Sequence, residues 1–291
     1  MCTGIWFENR FFGRTLDWME SYGERLVVAP RNFKFEFRFV EGMESHYAMM
    51  GMAVVSDNYP LFYEGFNEAG LGMAGLFFEE DTVYHDRCEG KINVAPFEMI
   101  PYILGQCKSV KEARSKLEKM NIVNEGFNER WGMSPLHWML ADKKECIVVE
   151  SLADGLKIYD NNYGVMTNSP TFDKQVSNCN NYMNLYNNLP GNWSSKSRFV
   201  RAVYMRNHSK LRSIDNPVDH FFRMLDYVSQ IRGCNQDKDR DEEITLYSCC
   251  QDLDKGIYYY AIYQCREIKM LSFDEIQLND NKLNIREIRS Y

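Results

Sequence analysis

Short runs of apolar, β-branched and aromatic residues recur along the chain and predict strands. The predicted strands are 25–30, 47–56, 70–78, 136–142, 146–150, 156–159 and 163–167, followed near the C-terminus by 244–250, 256–263 and 267–273. Polar turns such as 57–60, 142–144 and 160–162 separate many of them by only a few residues. Connections this short favour antiparallel hairpins over parallel crossovers.

Apolar residues at helical spacing predict helices in the middle of the chain. These helices are 95–106, 109–120, 172–186, 195–208 and 217–232. Ser109 and Glu112 form a capping-box pattern at the start of the second one. The order is strands, two helices, strands, helices and strands, without a repeat or a Pro/Gly-rich linker. We therefore expect one α+β domain over residues 1–291, with helices packed outside antiparallel sheets and a charged loop at 235–243.

Composition and charge exclude several classes of protein. The chain has 291 residues, is 45% hydrophobic and carries a net charge of -7, with Lys and Arg scattered among Asp and Glu. No basic stripe points to nucleic acid. No apolar run approaches the length of a membrane span, and charged residues from Glu8 to Asp17 interrupt any signal-peptide core. The predicted location is cytoplasmic.

The cysteines and histidines give no sign of a metal centre. The nine cysteines are irregularly spaced and contain no CxxC pair, and the five histidines lie apart. Packed free thiols are expected in a reducing compartment. We predict neither a metal nor a cofactor, and interpret His137, in a predicted strand, as a core residue.

Cys2 has distinctive chemistry once Met1 is removed, which a small second residue such as Cys permits. An α-amine has a pKa near 8, so it can accept a proton at neutral pH. The thiol is nucleophilic as the thiolate. One residue then supplies both nucleophile and base, as in enzymes with an N-terminal nucleophile. Taken alone, a cysteine at position two is more often part of a frayed end.

The segment that follows strengthens the case for Cys2. A strand turning back in a hairpin would bring Arg14 and Asp17 beside the terminus. A guanidinium favours the thiolate, and a carboxylate can hold the α-ammonium or orient the amine. The alternative for these two residues is a solvated charge pair.

Motifs in a fixed order along nearly the whole chain resemble one known family. They are Met1-Cys2-Thr3-Gly4, Phe12-Gly13-Arg14-Thr15-Leu16-Asp17, Ala29-Pro30-Arg31-Asn32, Tyr63-Glu64-Gly65-Phe66-Asn67-Glu68-Ala69-Gly70-Leu71, Pro135-Leu136-His137-Trp138, Gly164-Val165-Met166-Thr167-Asn168-Ser169-Pro170, Ser197-Arg198-Phe199 and Lys255-Gly256-Ile257-Tyr258-Tyr259-Tyr260. The family is the choloylglycine hydrolases, which comprise conjugated bile salt hydrolases and penicillin V acylases within the N-terminal nucleophile superfamily.

The resemblance implies a four-layer αββα fold of two stacked antiparallel sheets between helices. It also implies roles for five residues. Cys2 matches the nucleophile, Arg14 the arginine beside the thiol, and Asp17 the carboxylate that binds the α-amino group. Asn168 matches the asparagine whose amide helps form the oxyanion hole, and Arg198 matches the second catalytic arginine. Without the resemblance, Asn168 reads as a turn residue and Arg198 as a helix-surface charge.

The sequence departs from the family pattern in two places. Phe77 stands where bile salt hydrolases usually have Asn and penicillin V acylases Tyr. It keeps the backbone N–H that serves as the second oxyanion donor. Its aromatic side chain is more similar to the Tyr of the penicillin V acylases than to the Asn of the bile salt hydrolases. A long Gly-rich excursion of relatives is shortened here before Leu189. Because that excursion lines the substrate mouth and contributes to a tetramer, its loss weighs against a tetramer and leaves a homo-oligomer open.

The resemblance also suggests where an acyl group would bind. Phe62, Tyr63, Phe66, Phe77 and Phe78 are interpreted as an aromatic wall for a bulky acyl chain, with core packing as the alternative. The expected partner is a small-molecule amide, with neither nucleic acid nor membrane insertion.

The reaction implied by the resemblance is hydrolysis of a linear amide through a Cys2 thioester, with glycine- or taurine-conjugated bile acids as the favoured substrates. A penicillin V acylase-like enzyme and an N-acyl amino acid amidase or acyltransferase are the alternatives. A non-catalytic binder of bile acids or lipids is the alternative from a different class.

Overall fold

Two antiparallel sheets form the centre of the computed structural model, which describes residues 1–182, 188–209, 215–236 and 242–288. In chain order the strands are β1 (Cys2–Phe7), β2 (Phe11–Trp18), β3 (Arg25–Ala29), β4 (Met49–Ser56), β5 (Tyr59–Asn67), β6 (Gly72–Phe77), β7 (Ile92–Val94), β8 (Met120–Ile122), β9 (Leu136–Ala141), β10 (Cys146–Leu152), β11 (Gly155–Asp160), β12 (Val165–Met166), β13 (Ile244–Asp252), β14 (Ile257–Ile262), β15 (Cys265–Ser272) and β16 (Asn284–Glu287). The first sheet has the order β12-β1-β2-β13-β14-β15 and the second β11-β10-β9-β6-β5-β4-β3-β16. The short strands β7 and β8 pair separately and in parallel.

Helices cover the outer face of each sheet. They are α1 (Met99–Gln106), α2 (Val110–Leu117), α3 (Phe172–Asn180), α4 (Ser195–His208) and α5 (Pro217–Asp226), with 3₁₀ turns at Pro96–Glu98 and Phe273–Glu275. α1 and α2 pack on the second sheet, α4 and α5 pack on the first, and α3 lies against α4. One hydrophobic core joins the facing sheets and a second lies beneath α1 and α2. The expected αββα architecture is confirmed.

The hairpin of β1 and β2 brings the first predicted site residues together. Glu8 and Asn9 adopt left-handed backbone angles, with φ of 52° and 55°, and the Arg10 N–H donates to the Phe7 carbonyl. The register then sets Cys2 opposite Leu16 and Gly4 opposite Arg14. Because side chains alternate along a strand, Cys2 and Arg14 point to the same face.

Most predicted elements are present, and the observed bounds of several differ from the predicted ones. The turn predicted at 57–60 is only Asp57 and Asn58, with φ of 51° and 58°, so Tyr59 already begins β5. The predicted helix 217–232 ends at Asp226, and 95–106 begins with a 3₁₀ turn. In the capping box the Ser109 hydroxyl accepts from the Glu112 N–H as expected. The Glu112 carboxylate instead accepts from the Lys108 N–H.

Three of the sequence predictions fall partly on residues that the structure does not describe. Residues 183–187 contain the end of the predicted helix 172–186 and most of the shortened segment, and 237–241 contain most of the predicted charged loop. None of the described helices is long and apolar enough to cross a membrane.

Candidate active site

The thiol of Cys2 lies at the start of β1 against a buried guanidinium. Arg14 Nη2 donates to Cys2 Sγ over 2.6 Å, while its Nη1 donates to the Gly75 carbonyl over 2.6 Å. Burial opposes the charged form of Arg14, but Coulomb attraction, above all from Cys2, raises its pKa above the ordinary value. A guanidinium fixed in this way can donate a charge-assisted hydrogen bond to the sulfur atom of Cys2.

A second buried arginine fixes the backbone of the same residue. Arg198, on α4, donates through Nη1 to the Cys2 carbonyl over 2.5 Å and to Thr3 Oγ1 over 2.7 Å. Its Nη2 donates to Asn168 Oδ1 over 2.8 Å. Burial lowers the pKa of Arg198, and the charges of Asp17 and Cys2 work in the opposite direction. The two arginines thus hold Cys2 from its side chain and from its main chain.

The orientation of the Asn168 amide follows from its hydrogen bonds. Its Oδ1 accepts from Arg198 and from the Cys2 N–H, the latter over 2.7 Å. Two donors on one atom identify that atom as the oxygen, so the NH₂ group faces the other way. It donates to the Phe77 carbonyl over 2.8 Å. One hydrogen of the NH₂ group is used there, and an amide nitrogen carries a second.

The main chain of Phe77 faces the amide group of Asn168. The Phe78 N–H donates to the Pro135 carbonyl across the β6–β9 ladder. Since successive residues of a strand direct their polar groups to opposite sides, the Phe77 N–H points away from β9, as its carbonyl does. The Phe77 N–H and carbonyl therefore face the side on which the Asn168 amide lies.

Asp17 is buried in this cluster but does not touch the terminal ammonium through its carboxylate. Its Oδ1 accepts from the Thr245 hydroxyl over 2.6 Å, and burial raises its pKa. The Met1 ammonium instead donates to the Asp17 carbonyl over 2.7 Å and to Glu243 Oε1 over 2.9 Å. The expected contact concerns the α-amine of Cys2, whereas here the ammonium belongs to Met1.

Glu243 was missed by sequence reasoning. It stands at the end of the segment interpreted as a charged loop, so no motif singled it out.

A cavity of about 340 Å³ opens above Cys2 and Arg14. Its walls include eight aromatic residues: Trp18, Tyr22, Phe62, Tyr63, Phe77, Phe97, Phe127 and Trp131.

Two of the residues interpreted as acyl-pocket walls lie elsewhere. Phe66 is fully buried between the sheets, with its ring 5.0 Å from that of Phe273. Phe78 stacks on His137 at 4.2 Å, beyond the end of β6. The bulge at Tyr63 shifts the register of β5 against β4, so Phe66 packs between the sheets while Phe62 lies in the other core and lines the cavity. The walls that sequence reasoning overlooked, such as Phe127 and Trp131, come from a loop without periodic pattern.

His137 is a core residue, as interpreted. Its Nε2 lies 2.7 Å from the Thr167 carbonyl and its Nδ1 lies 3.3 Å from Glu150. Within the described ranges no group of three or more His, Cys, Asp or Glu side chains could hold a metal ion.

A thiol at the start of the first strand, held by a guanidinium beside an amide donor inside an αββα fold, defines the class of N-terminal nucleophile hydrolases. A family model described as linear amide C–N hydrolases, choloylglycine hydrolase family, matches residues 2–288. The chain belongs to this family and is a linear amide C–N hydrolase.

Individual relatives agree with the family assignment. The chain is 41% identical to a bile salt hydrolase/transferase of Lactiplantibacillus plantarum, over 100% of this chain and 96% of the relative. A crystal structure of a variant of conjugated bile acid hydrolase from Clostridium perfringens superposes with a TM-score of 0.93 at 32% identity, covering 99% of this chain and 97% of that one. Penicillin V acylase from Agrobacterium tumefaciens shares the fold, with a TM-score of 0.84 at 23% identity over 100% of this chain and 94% of its own.

Proposed function

We propose that residues 1–291, after removal of Met1, act as a single amide-hydrolase domain that deconjugates glycine- and taurine-conjugated bile acids through a Cys2 thioester. The observation that carries the proposal is the 2.6 Å contact of Arg14 with Cys2 Sγ beneath an aromatic cavity. The names of the full-length relatives from Lactiplantibacillus plantarum and Clostridium perfringens support the choice of substrate. Cytoplasmic location and oligomeric state stay predictions.

The first half of the reaction forms the thioester. The Cys2 thiolate attacks the amide carbonyl, and the Asn168 NH₂ group and the Phe77 N–H stabilise the negative oxygen of the tetrahedral intermediate. The C–N bond then breaks, and the protonated α-amine of Cys2 gives a proton to the leaving amine. Asn168 Oδ1 lies 2.7 Å from the Cys2 nitrogen and can orient that amine.

The second half releases the acid. The α-amine takes a proton from water, whose oxygen attacks the thioester carbonyl. Collapse of the intermediate breaks the C–S bond and restores the thiolate. If an amine replaces water, the product is a new amide, so the same site supports acyl transfer. The relative from Lactiplantibacillus plantarum carries both activities in its name.

Phe77 favours a second substrate class. Its aromatic ring lies 5.3 Å from that of Trp18 and lines the cavity, where bile salt hydrolases usually have Asn. A flat aromatic wall suits the aryl or alkyl acyl group of penicillin V or of an N-acyl amino acid. These amides are therefore the alternative substrates.

The test is release of free amine from glycocholate, taurocholate, penicillin V and a medium-chain N-acyl amino acid. Wild type is compared with Cys2→Ala, which keeps a small second residue and so permits the same removal of Met1. Cys88→Ala is the matched control, because Cys88 is an exposed thiol outside the site. Intact mass records the state of Met1.

Turnover of the bile acid conjugates by wild type and Cys88→Ala, but not by Cys2→Ala, is the expected result. Turnover of penicillin V or the acyl amino acid alone would reject the bile acid proposal in favour of the second class. Bile acid binding that survives in both variants, with no turnover by processed wild type, would favour the non-catalytic binder.

A further inference from the structure

A buried carboxylate follows Tyr63, whose carbonyl accepts over 3.4 Å from the arginine that contacts Cys2. Glu64, on β5, is fully shielded from solvent. Its Oε2 accepts from the Tyr247 hydroxyl over 2.5 Å, and its Oε1 accepts from the Tyr258 hydroxyl over 2.5 Å. The Met52 N–H also donates to Oε1, over 3.1 Å. Donors from β4, β13 and β14 therefore converge on one side chain that belongs to no step of the proposed reaction.

Arg14 needs a counter-charge that its direct contacts do not supply. Besides Cys2 Sγ, its N–H groups donate to the carbonyls of Thr15, Gly75 and Tyr63. Across the described parts of the chain, no carboxylate lies within ion-pair distance of its guanidinium. The Cys2 thiolate is therefore the only anion that it touches, and a buried cation without an anion is strongly unfavourable.

The proposed reaction removes that anion once in every cycle. When Cys2 attacks the substrate, its charge passes to the oxyanion, and in the thioester the sulfur is neutral. Arg14 then stays buried and charged while its partner carries no charge. Glu64 is among the groups whose Coulomb attraction raises the pKa of Arg14, after Cys2 and Tyr247.

We propose that Glu64 is a positioning residue that remains ionised and serves as the fixed counter-charge of Arg14 while Cys2 alternates between thiolate and thioester. The inference rests on the proposed function, because it assumes that Cys2 is the nucleophile. Tyr247 and Tyr258 hold the carboxylate in place and donate to its charged form.

Opposing effects act on the charge of Glu64. Burial raises the pKa of its carboxyl group above the ordinary value, and Arg14, the two tyrosine hydroxyls and the Met52 N–H limit that rise. Hydrogen bonds donated to a carboxylate favour its charged form. A carboxylate supplied with three such donors can remain ionised without water.

The test compares the pH dependence of Cys2 alkylation in wild type and Glu64→Gln. Iodoacetamide labelling is followed by mass spectrometry of the peptide that contains Cys2, with the exposed Cys88 and Cys234 as internal references. Removing one buried negative charge near the thiolate should move the midpoint of the alkylation profile down by about one pH unit. The reference cysteines should not shift.

Other charged or titratable groups face this network, and none of them is altered by the substitution. They are Arg14 and Asp17 on β2, Tyr63 on β5, Tyr247 and Cys249 on β13, Tyr258 on β14 and Arg198 on α4. Glu64→Asp is the matched control, because it loosens the hydrogen bonds but keeps the charge. Its midpoint should stay near that of wild type, whereas a purely structural role for Glu64 predicts no shift in either variant.

Turnover supplies the second readout. Glu64→Gln should lower kcat/KM by about 10-fold or more, because acylation would leave Arg14 without a nearby anion. If Glu64→Gln does not fold, the double variant Tyr247→Phe/Tyr258→Phe replaces it. Loss of both donors favours protonated Glu64, and the midpoint should fall in the same way.

An unchanged or higher midpoint in folded Glu64→Gln, or in the folded double variant, would overturn the inference. So would wild-type kcat/KM in Glu64→Gln. Failure of the proposed function looks different: processed wild type would hydrolyse none of the amides, while alkylation of Cys2 would still report the charge of Glu64.

Discussion

Replacing Arg198 with lysine should separate orientation of the Asn168 amide from binding of substrate. The guanidinium donates to four oxygen atoms, those of the Cys2 and Trp193 carbonyls, Thr3 Oγ1 and Asn168 Oδ1. An ammonium keeps the positive charge but directs its hydrogens from a single point, so it cannot reproduce the planar fork. We expect the bonds to Asn168 and Trp193 to be lost.

The loss should be measurable in both stability and rate. A hydrogen bond to a charged group contributes about 1.5–3 kcal/mol, so two lost bonds correspond to a free energy of unfolding lower by about 3–6 kcal/mol. For a chain of this length, about 3 kcal/mol lowers Tm by roughly 5 °C. An Asn168 amide freed from Arg198 can rotate its oxygen toward the oxyanion. Loss of one oxyanion donor lowers kcat by about 10²–10³-fold with little change in KM.

The assay is steady-state hydrolysis of the best amide in the substrate panel, with thermal unfolding of the same preparations. Arg206→Lys on the same helix is the control, because Arg206 donates to the Trp6 carbonyl but touches neither Cys2 nor Asn168. It should lose stability and keep kcat. A higher KM with unchanged kcat in Arg198→Lys would refute the reasoning, since it would assign Arg198 to substrate binding.

Three further predictions address packing, substrate choice and pH. Gly13→Ala should lower the free energy of unfolding by about 3 kcal/mol, because its Cβ would lie 2.0 Å from the Cys249 carbonyl oxygen; denaturant unfolding measures it. Phe77→Ala should raise KM about 10-fold and change kcat less, since its N–H remains; steady-state kinetics measure both. Burial acts to raise the pKa of Glu68, but hydrogen bonds from Arg31 lower it below the ordinary value. The stability that ionised Glu68 gives to the fold is therefore present at neutral pH and lost on acidification. Arg31→Ala should flatten the fall in stability between about pH 5 and pH 3, measured by unfolding at each pH.

Matched controls make these predictions specific. Gly191→Ala should leave stability unchanged, because no atom of the described residues lies within 4 Å of its added Cβ. Phe66→Ala should destabilise the core yet leave KM unchanged, because Phe66 does not line the cavity. Arg25→Ala removes an exposed ion pair with Glu287 and should not alter the slope against pH. Equal effects in a variant and its control would contradict the corresponding prediction.

More of the fold than of the site could be predicted from the residues themselves. Strands and helices follow from local periodicity, and α4 has the predicted bounds, 195–208. The hairpin that joins Cys2 to Arg14 is also local, so their proximity could be inferred from sequence. Arg198 could not be placed in this way, because its contact with Cys2 depends on how α4 packs across the first sheet, 196 residues further along the chain.

The aromatic wall of the cavity could also be predicted only in part from the sequence. The resemblance suggests an aromatic wall of five residues near β5 and β6, and of these Phe62, Tyr63 and Phe77 line the cavity. A β-bulge at Tyr63 shifts the register of β5 against β4, so Phe62 and Phe66 belong to different hydrophobic cores although they lie four residues apart. No pattern of spacing connects them to the loop around Phe127, which tertiary packing brings over Cys2.

Reactivity and substrate choice depend on different parts of the fold. The thiol is held by Arg14, whose remaining partners are main-chain carbonyls near or within strands, and the Cys2 main chain is held by Arg198 from a buried helix. The cavity walls at Phe97 and Trp131 instead come from a 3₁₀ turn and a loop, and the hydrogen bond that Sγ accepts in the described structure comes from Arg14 rather than from either of them. Changes in those walls can therefore alter which amide is bound without moving the thiol. A family built in this way can keep one reaction while its members differ in acyl group and leaving amine.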